Sequence, residues 1–258
     1  MILLRTLHRS LFGLGATVAL LVLAGCVGLP TGKPAGPWHE AYEPINDPAS
    51  EAFVSNALQR AVAAFGDPVV PVNKVLLRRS KKTEAAKRYH IGEDFSLTEC
   101  FDSSNGVFVI YLAVDPGHVN YYALLGHECT HLINPYITDW YMEGMATVFS
   151  QQICKQLGVK WGDWERHFNR SRRQPYALSY RMMLQLQEVF PRDYPLMINY
   201  TTPIKKRDEW LRIDIDAWLD SLAPARRLQA LSIIEPYVKE LNRNVGTQYA
   251  FQTPEALK

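Results

Sequence analysis

Apolar side chains at Phe53, Val54, Ala57, Leu58, Ala61 and Phe65 recur every three or four positions, the spacing of one helix face. They predict a helix over 49–65, which Gly66-Asp67-Pro68 stops. From 69 to 115 the pattern changes to short β-type runs, at 74–78, 88–92 and 107–114. The last run is rich in β-branched and aromatic residues and follows the turn sequence Ser104-Asn105-Gly106. Asp115-Pro116-Gly117 ends it, and a helical stretch over 121–133 follows with Asn120 as its expected N-cap. Asn134-Pro135 terminates that helix, and Thr138 or Asp139 can cap the next one, expected over 140–154. Further helical patterns cover 162–169, 176–190, 207–222 and 225–242, the last bent near Pro236. The expected fold class is α+β: a small β-sheet precedes the 121–133 helix, and a mostly helical C-terminal half follows it.

The first residues change this picture. Arg5 and Arg9 precede an apolar run over 11–23 that is too short to be a comfortable membrane span, which reads as an export signal over 1–25. Its end, Leu23-Ala24-Gly25-Cys26, resembles the lipobox of bacterial lipoproteins. That resemblance implies cleavage before Cys26, lipidation of Cys26, and a chain anchored to a membrane by that lipid. Val27, not an aspartate, follows the cysteine, as in lipoproteins sent to the outer membrane, so the expected location is the bacterial envelope, facing the periplasm. Residues 26–48 carry five prolines and read as an extended tether, leaving 49–258 as a single domain. With 258 residues, a formal charge of +2 and only short basic clusters, such as Arg78-Arg79-Ser80-Lys81-Lys82, the chain lacks the footprint of a nucleic-acid-binding surface. Cys100, Cys129 and Cys154 would meet an oxidising compartment, and the sequence assigns no pairing among them.

Candidate chemistry centres on His127-Glu128-Cys129-Thr130-His131. Two imidazoles four residues apart on a helix lie one turn apart on one face and reach a single ion. Glu128 projects ~100° away, beside that ion, and Cys129 faces the far side as a core residue. A catalytic zinc takes three protein ligands and an open position, so a third ligand must come from elsewhere. Glu143, in the first turns of the next helix, is the best candidate, with Asp139 as its rival. His90, His118 and His167 read as surface or packing residues.

A His-Glu-x-x-His helix followed by Trp-x-x-Glu-Gly-x-Ala resembles the glutamate-ligand zincins, the gluzincin-type zinc metallopeptidases. Trp140, Glu143, Gly144 and Ala146 match the second motif, while Tyr141 stands where its usual leucine would be. The resemblance covers about 105–190 and implies a zincin-like fold, one zinc ion per chain held by His127, His131 and Glu143, and Glu128 as general base. It implies a peptide or protein substrate, hydrolysed by a water that the metal activates. A tyrosine of a later helix often donates to the oxyanion in such enzymes, which makes Tyr176 and Tyr180 the candidates here. The alternative is a catalytically inactive zincin-fold lipoprotein that binds a partner in the envelope; a zinc hydrolase of a non-peptide bond is a third reading.

Overall fold

The computed structural model describes residues 37–82, 96–204, 207–243 and 250–258. The expected export signal, Cys26, the first part of the tether, the 88–92 run and His90 lie outside these residues. The architecture is α+β. Strands β1 (Tyr42–Pro44), β2 (Lys74–Ser80), β3 (Leu97–Asp102) and β4 (Val107–Leu112) form one sheet in the order β1-β2-β4-β3. β2 and β4 run parallel, with Lys74 beside Val107 and Arg79 beside Leu112, and β1 and β3 pair antiparallel at the two sides. β4 is buried along its whole length, and Phe108, Ile110 and Leu112 turn their side chains into the main core. That is why its apolar run was legible.

β3 was not expected from the sequence. Its alternation of Leu97, Glu99 and Phe101 with Thr98, Cys100 and Asp102 mixes polar and apolar residues on each face, so only the pairing with β4 reveals it. The joining turn explains that pairing. The Asp102 carboxylate accepts hydrogen bonds from the backbone N–H groups of Ser104 and Asn105, both at 3.1 Å. Gly106 sits at φ 63°, where a Cβ would lie 2.2 Å from the Pro71 carbonyl oxygen. Residues expected in the tether also belong to the folded body, since Tyr42 to Pro44 pair with β2.

Helix α1 (Pro48–Phe65) starts at Asp47, whose carboxylate accepts from the Ser50 N–H at 3.0 Å. Helices α2 (Tyr121–His131) and α3 (Trp140–Gln156) form an antiparallel hairpin across Asn134-Pro135. Ser150 Oγ donates to the Ala123 carbonyl near one end, and His127 meets Glu143 and Thr147 near the other. α3 is buried on every side from Trp140 to Ser150, which makes it the central helix. Helices α4 (Trp164–Arg170) and α5 (Pro175–Val189) follow, and α5 crosses α3 closely at Gly144.

The expected helix over 207–222 is not formed. The chain instead makes a hairpin of β5 (Thr201–Ile204) and β6 (Arg207–Ile213), then the short helix α6 (Ile215–Ser221), and then α7 (Pro224–Asn242) with Pro236 inside it. Asp214 decides the boundary: its carboxylate accepts from the Ala217 N–H at 3.1 Å and caps α6 in the middle of the expected helix. Leu211 of β6 also exchanges backbone hydrogen bonds with the chain between α2 and α3, a pairing with no signal in the local sequence.

At Gly144 a Cβ would lie 2.5 Å from the Ser179 carbonyl oxygen and 2.6 Å from Met183 Cγ. Gly144→Ala should therefore force α3 and α5 apart and destabilise the fold by about 1–3 kcal/mol, seen as a lower denaturant midpoint. An unchanged midpoint would contradict this packing.

Candidate metal centre

His127 and His131 project from successive turns of α2, and Glu143 meets them from the first turn of α3. The two Nε2 atoms are 3.4 Å apart. Glu143 Oε2 lies 3.1 Å from His127 Nε2, and Oε1 lies 3.7 Å from His131 Nε2. One ligand atom from each of the three residues lies within 4.8 Å of the other two, close enough for the set to hold a single metal ion. Among the described residues these three form the group that could hold a metal ion. Glu143 is deeply buried, while the imidazoles keep 14% and 12% of their side-chain surface in solvent, so the cluster is open on the histidine side.

Thr147, one turn beyond Glu143, was missed by sequence reasoning. Its hydroxyl donates to the Glu143 carbonyl at 2.7 Å, and its oxygen lies 3.2 Å from His127 Nδ1. The carbonyl takes the single hydroxyl proton, so His127 must be the donor in the second contact. That keeps a proton on Nδ1 and leaves Nε2 as the atom that would offer its lone pair to a metal ion in place of the proton it shares with Glu143.

Glu128 is close enough to His127 and Glu143 to feel their charges, and its hydrogen bond is to β3. Thr98 Oγ1 lies 2.9 Å from Glu128 Oε2 and 2.8 Å from the Glu128 backbone carbonyl, so it pins the edge strand to the motif helix. Burial pushes the Glu128 carboxyl up to about 7; Glu143 adds to the rise, while His127 and Thr98 oppose it. Burial also holds the His131 imidazole down at about 4, which leaves it neutral. For His127 burial again opposes the charge, but the Glu143 hydrogen bond and the charges of Glu143 and Glu128 outweigh it and raise the imidazole above its ordinary value. Burial likewise opposes ionisation of Glu143, yet its contacts with His127, His131 and Tyr176 hold it below the usual carboxylate range.

The remaining candidates separate cleanly. Asp139 is the N-cap of α3, with its carboxylate accepting from the Tyr141 N–H at 2.6 Å, and it is not a member of the ligand group. Tyr176 is at the site: its hydroxyl hydrogen-bonds to Glu143, its ring lies 6.3 Å from that of His127, and Trp140 packs edge-on against it at 5.0 Å. Tyr180 is not. Its hydroxyl donates to Gln151 at 2.9 Å and its ring packs on Trp161 and Phe168, so the single turn between the two tyrosines carries it to a different neighbour. Cys129 and Cys154 are buried outside any disulfide, and the Cys100 thiol of β3 hydrogen-bonds with Tyr136. Cys129 lies in the main core and is not a member of the ligand group, and burial raises its thiol far above its ordinary value. His118 accepts from the Asn120 N–H through Nδ1, and His167 packs on Trp164 and Phe168.

Thr147→Val keeps the volume of the side chain and removes both hydrogen bonds. It should weaken zinc binding about 10–100-fold in competition with a chromophoric chelator, and Thr147→Ser should restore it; equal affinity in all three proteins would contradict the tautomer assignment. Comparison with protein-family models, with curated proteins and with solved structures returns no match.

Proposed function

We propose that the chain is a zinc-dependent peptidase of the glutamate-ligand zincin type, carried on a bacterial lipoprotein anchored through Cys26 on the periplasmic side of the envelope. The observation that carries this reading is the convergence of His127, His131 and Glu143 within reach of one ion, with a separate, buried carboxylate, Glu128, on the helix of the two histidines. The anchor rests on the lipobox-like Leu23-Ala24-Gly25-Cys26 alone; among the described residues no helix is long and apolar enough to cross a membrane.

A zinc ion at this site would polarise a carbonyl and lower the pKa of a water on it to about 7. Glu128, raised by burial into the same range, is matched to take a proton at Oε1 or Oε2 and to return it to a leaving amine. Thr98 holds that carboxylate by its hydrogen bond. Tyr176 supplies a phenolic O–H beside Glu143, placed to donate to the oxygen that gains charge when the carbonyl is attacked. β3 favours a peptide over other substrates. Among the described residues it is an edge strand with one side unpaired, and an extended peptide can add to such a strand next to Glu128.

Incubation with an unfolded protein or a proteome-derived peptide library should give cleavage that a chelator stops and zinc restores. Glu128→Gln should retain one zinc per chain and lose that activity, and Tyr176→Phe should lower kcat about 10²–10³-fold. Glu143→Ala should lose the metal, whereas Asp139→Asn, which keeps a capping oxygen, should retain it. A wild-type chain that binds zinc without any chelator-sensitive cleavage would overturn the peptidase reading.

The pH dependence follows from Glu128. A base acts in its ionised form, and burial raises this carboxyl, so kcat/KM should fall as pH drops through its titration. A nearby cation favours the ionised form and pulls that titration down, so the acid limb should lie below about 7. A kcat/KM that stays level or rises as pH drops from about 7 into the ordinary carboxyl range, with Glu128→Gln retaining activity, would exclude Glu128 as the base.

A further inference from the structure

Glu143 stands on a different mount from the two histidines. His127 and His131 belong to the middle and last turns of α2, whose Leu124, Leu125 and Cys129 are set in the main core. Glu143 belongs to the first turn of α3, and the chain leading into that turn is held from two sides. On one side is β6: the Thr138 N–H donates to the Leu211 carbonyl at 3.0 Å, and the Leu211 N–H donates to the Tyr136 carbonyl at 2.8 Å. On the other side is the segment 250–258. The Trp140 N–H donates to the Ala250 carbonyl at 3.2 Å, and the Ala250 N–H donates to the Thr138 carbonyl at 2.9 Å.

The next residue extends this grip. Tyr141 is fully buried; its ring stacks on Phe251 at 5.0 Å, and its hydroxyl donates to the Gln252 carbonyl at 2.9 Å. The segment is fastened in turn to α6, because the Gln252 side-chain amide and the Glu255 N–H both donate to the Asp216 carboxylate, at 3.0 and 2.9 Å. Tyr141 is also the residue that departs from the zincin pattern, where a leucine is usual. A leucine would fill apolar space there but could not donate to Gln252. The departure is therefore matched to a partner that only this part of the chain supplies.

We infer that residues 250–258 are a strap that positions Glu143 for metal binding, with Tyr141 as the positioning residue through which the strap acts. The inference rests on the metal reading of His127, His131 and Glu143. Undocking the strap removes two backbone hydrogen bonds at the entry to α3 and leaves a buried phenol without its acceptor, so the first turn of α3 loses its fixed place. Both histidines keep theirs. The strap thus controls one ligand of three, and docking of the strap and binding of the metal favour each other by the same factor.

The test compares zinc affinity, by chelator competition, in the full chain, in a chain stopped after residue 249, and in the full chain carrying Tyr141→Phe. The stopped chain should bind zinc at least about tenfold more weakly, and a synthetic peptide of residues 250–258 added in trans should restore the affinity. Zinc should tighten the binding of that peptide by the same factor, and Glu143→Ala in the stopped chain should remove this mutual effect. Tyr141→Phe, which removes only the hydroxyl, should weaken zinc binding in the same direction and carries the test if the stopped chain does not fold. A folded stopped chain, or a Tyr141→Phe chain, with the zinc affinity of the full chain overturns the strap and leaves the metal site standing. A full chain that binds no zinc overturns both.

Discussion

The structure depends on how closely α2 and α3 approach each other. At Gly126 a Cβ would lie 3.0 Å from Ile153 Cγ2, and at Gly144 it would meet α5. These two glycines let α2 approach α3 and α3 approach α5 closely, and His127, His131 and Glu143 meet where α2 and α3 face each other. Burial opposes the charge on Glu143, and its contacts with His127, His131 and Tyr176 outweigh that cost. Metal affinity at such a site is also folding stability.

Around that contact, each reactive group is aimed by a neighbour from another element. Thr147 sets the His127 tautomer from α3, Thr98 holds Glu128 from the edge strand, and Tyr176 reaches Glu143 from α5. Glu128 and Glu143 show how environment separates two buried carboxylates. Glu143 has two imidazoles and a phenol against it and stays ionised; Glu128 has one hydroxyl and rises to about 7. A carboxylate ligand must be ionised and a general base must exchange its proton, so the two environments fit the two roles proposed for them.

Much of this was legible in the sequence because it is local. The histidine spacing, a cap at Thr138 or Asp139 and the buried run of β4 all express their structure within a few residues. The misses are of the opposite kind. The stretch over 207–222 has apolar residues that suit a helix as well as a strand, and its true partners, β5 and the 136–138 chain, are set by tertiary pairing. Thr98 sits on a strand whose alternation is mixed and thirty positions before Glu128, and nothing near it in sequence marks its partner. Tyr176 and Tyr180 share one helix and one spacing, and only the crossing of α5 over α3 sends the first to Glu143 and the second to Gln151. The acceptor of the Tyr141 hydroxyl is Gln252, 111 positions away, and nothing near either residue marks that pairing.

The central claim concerns which atoms bind the metal. X-ray absorption fine structure of the zinc-loaded protein tests it most directly. The account predicts one zinc per chain in a shell of nitrogen and oxygen at about 2.0–2.2 Å, with the multiple scattering of two imidazole rings and no sulfur. A sulfur shell near ~2.3 Å would move the metal to the cysteines, and the scattering of a single ring would separate His127 from His131; either result would contradict the site described here.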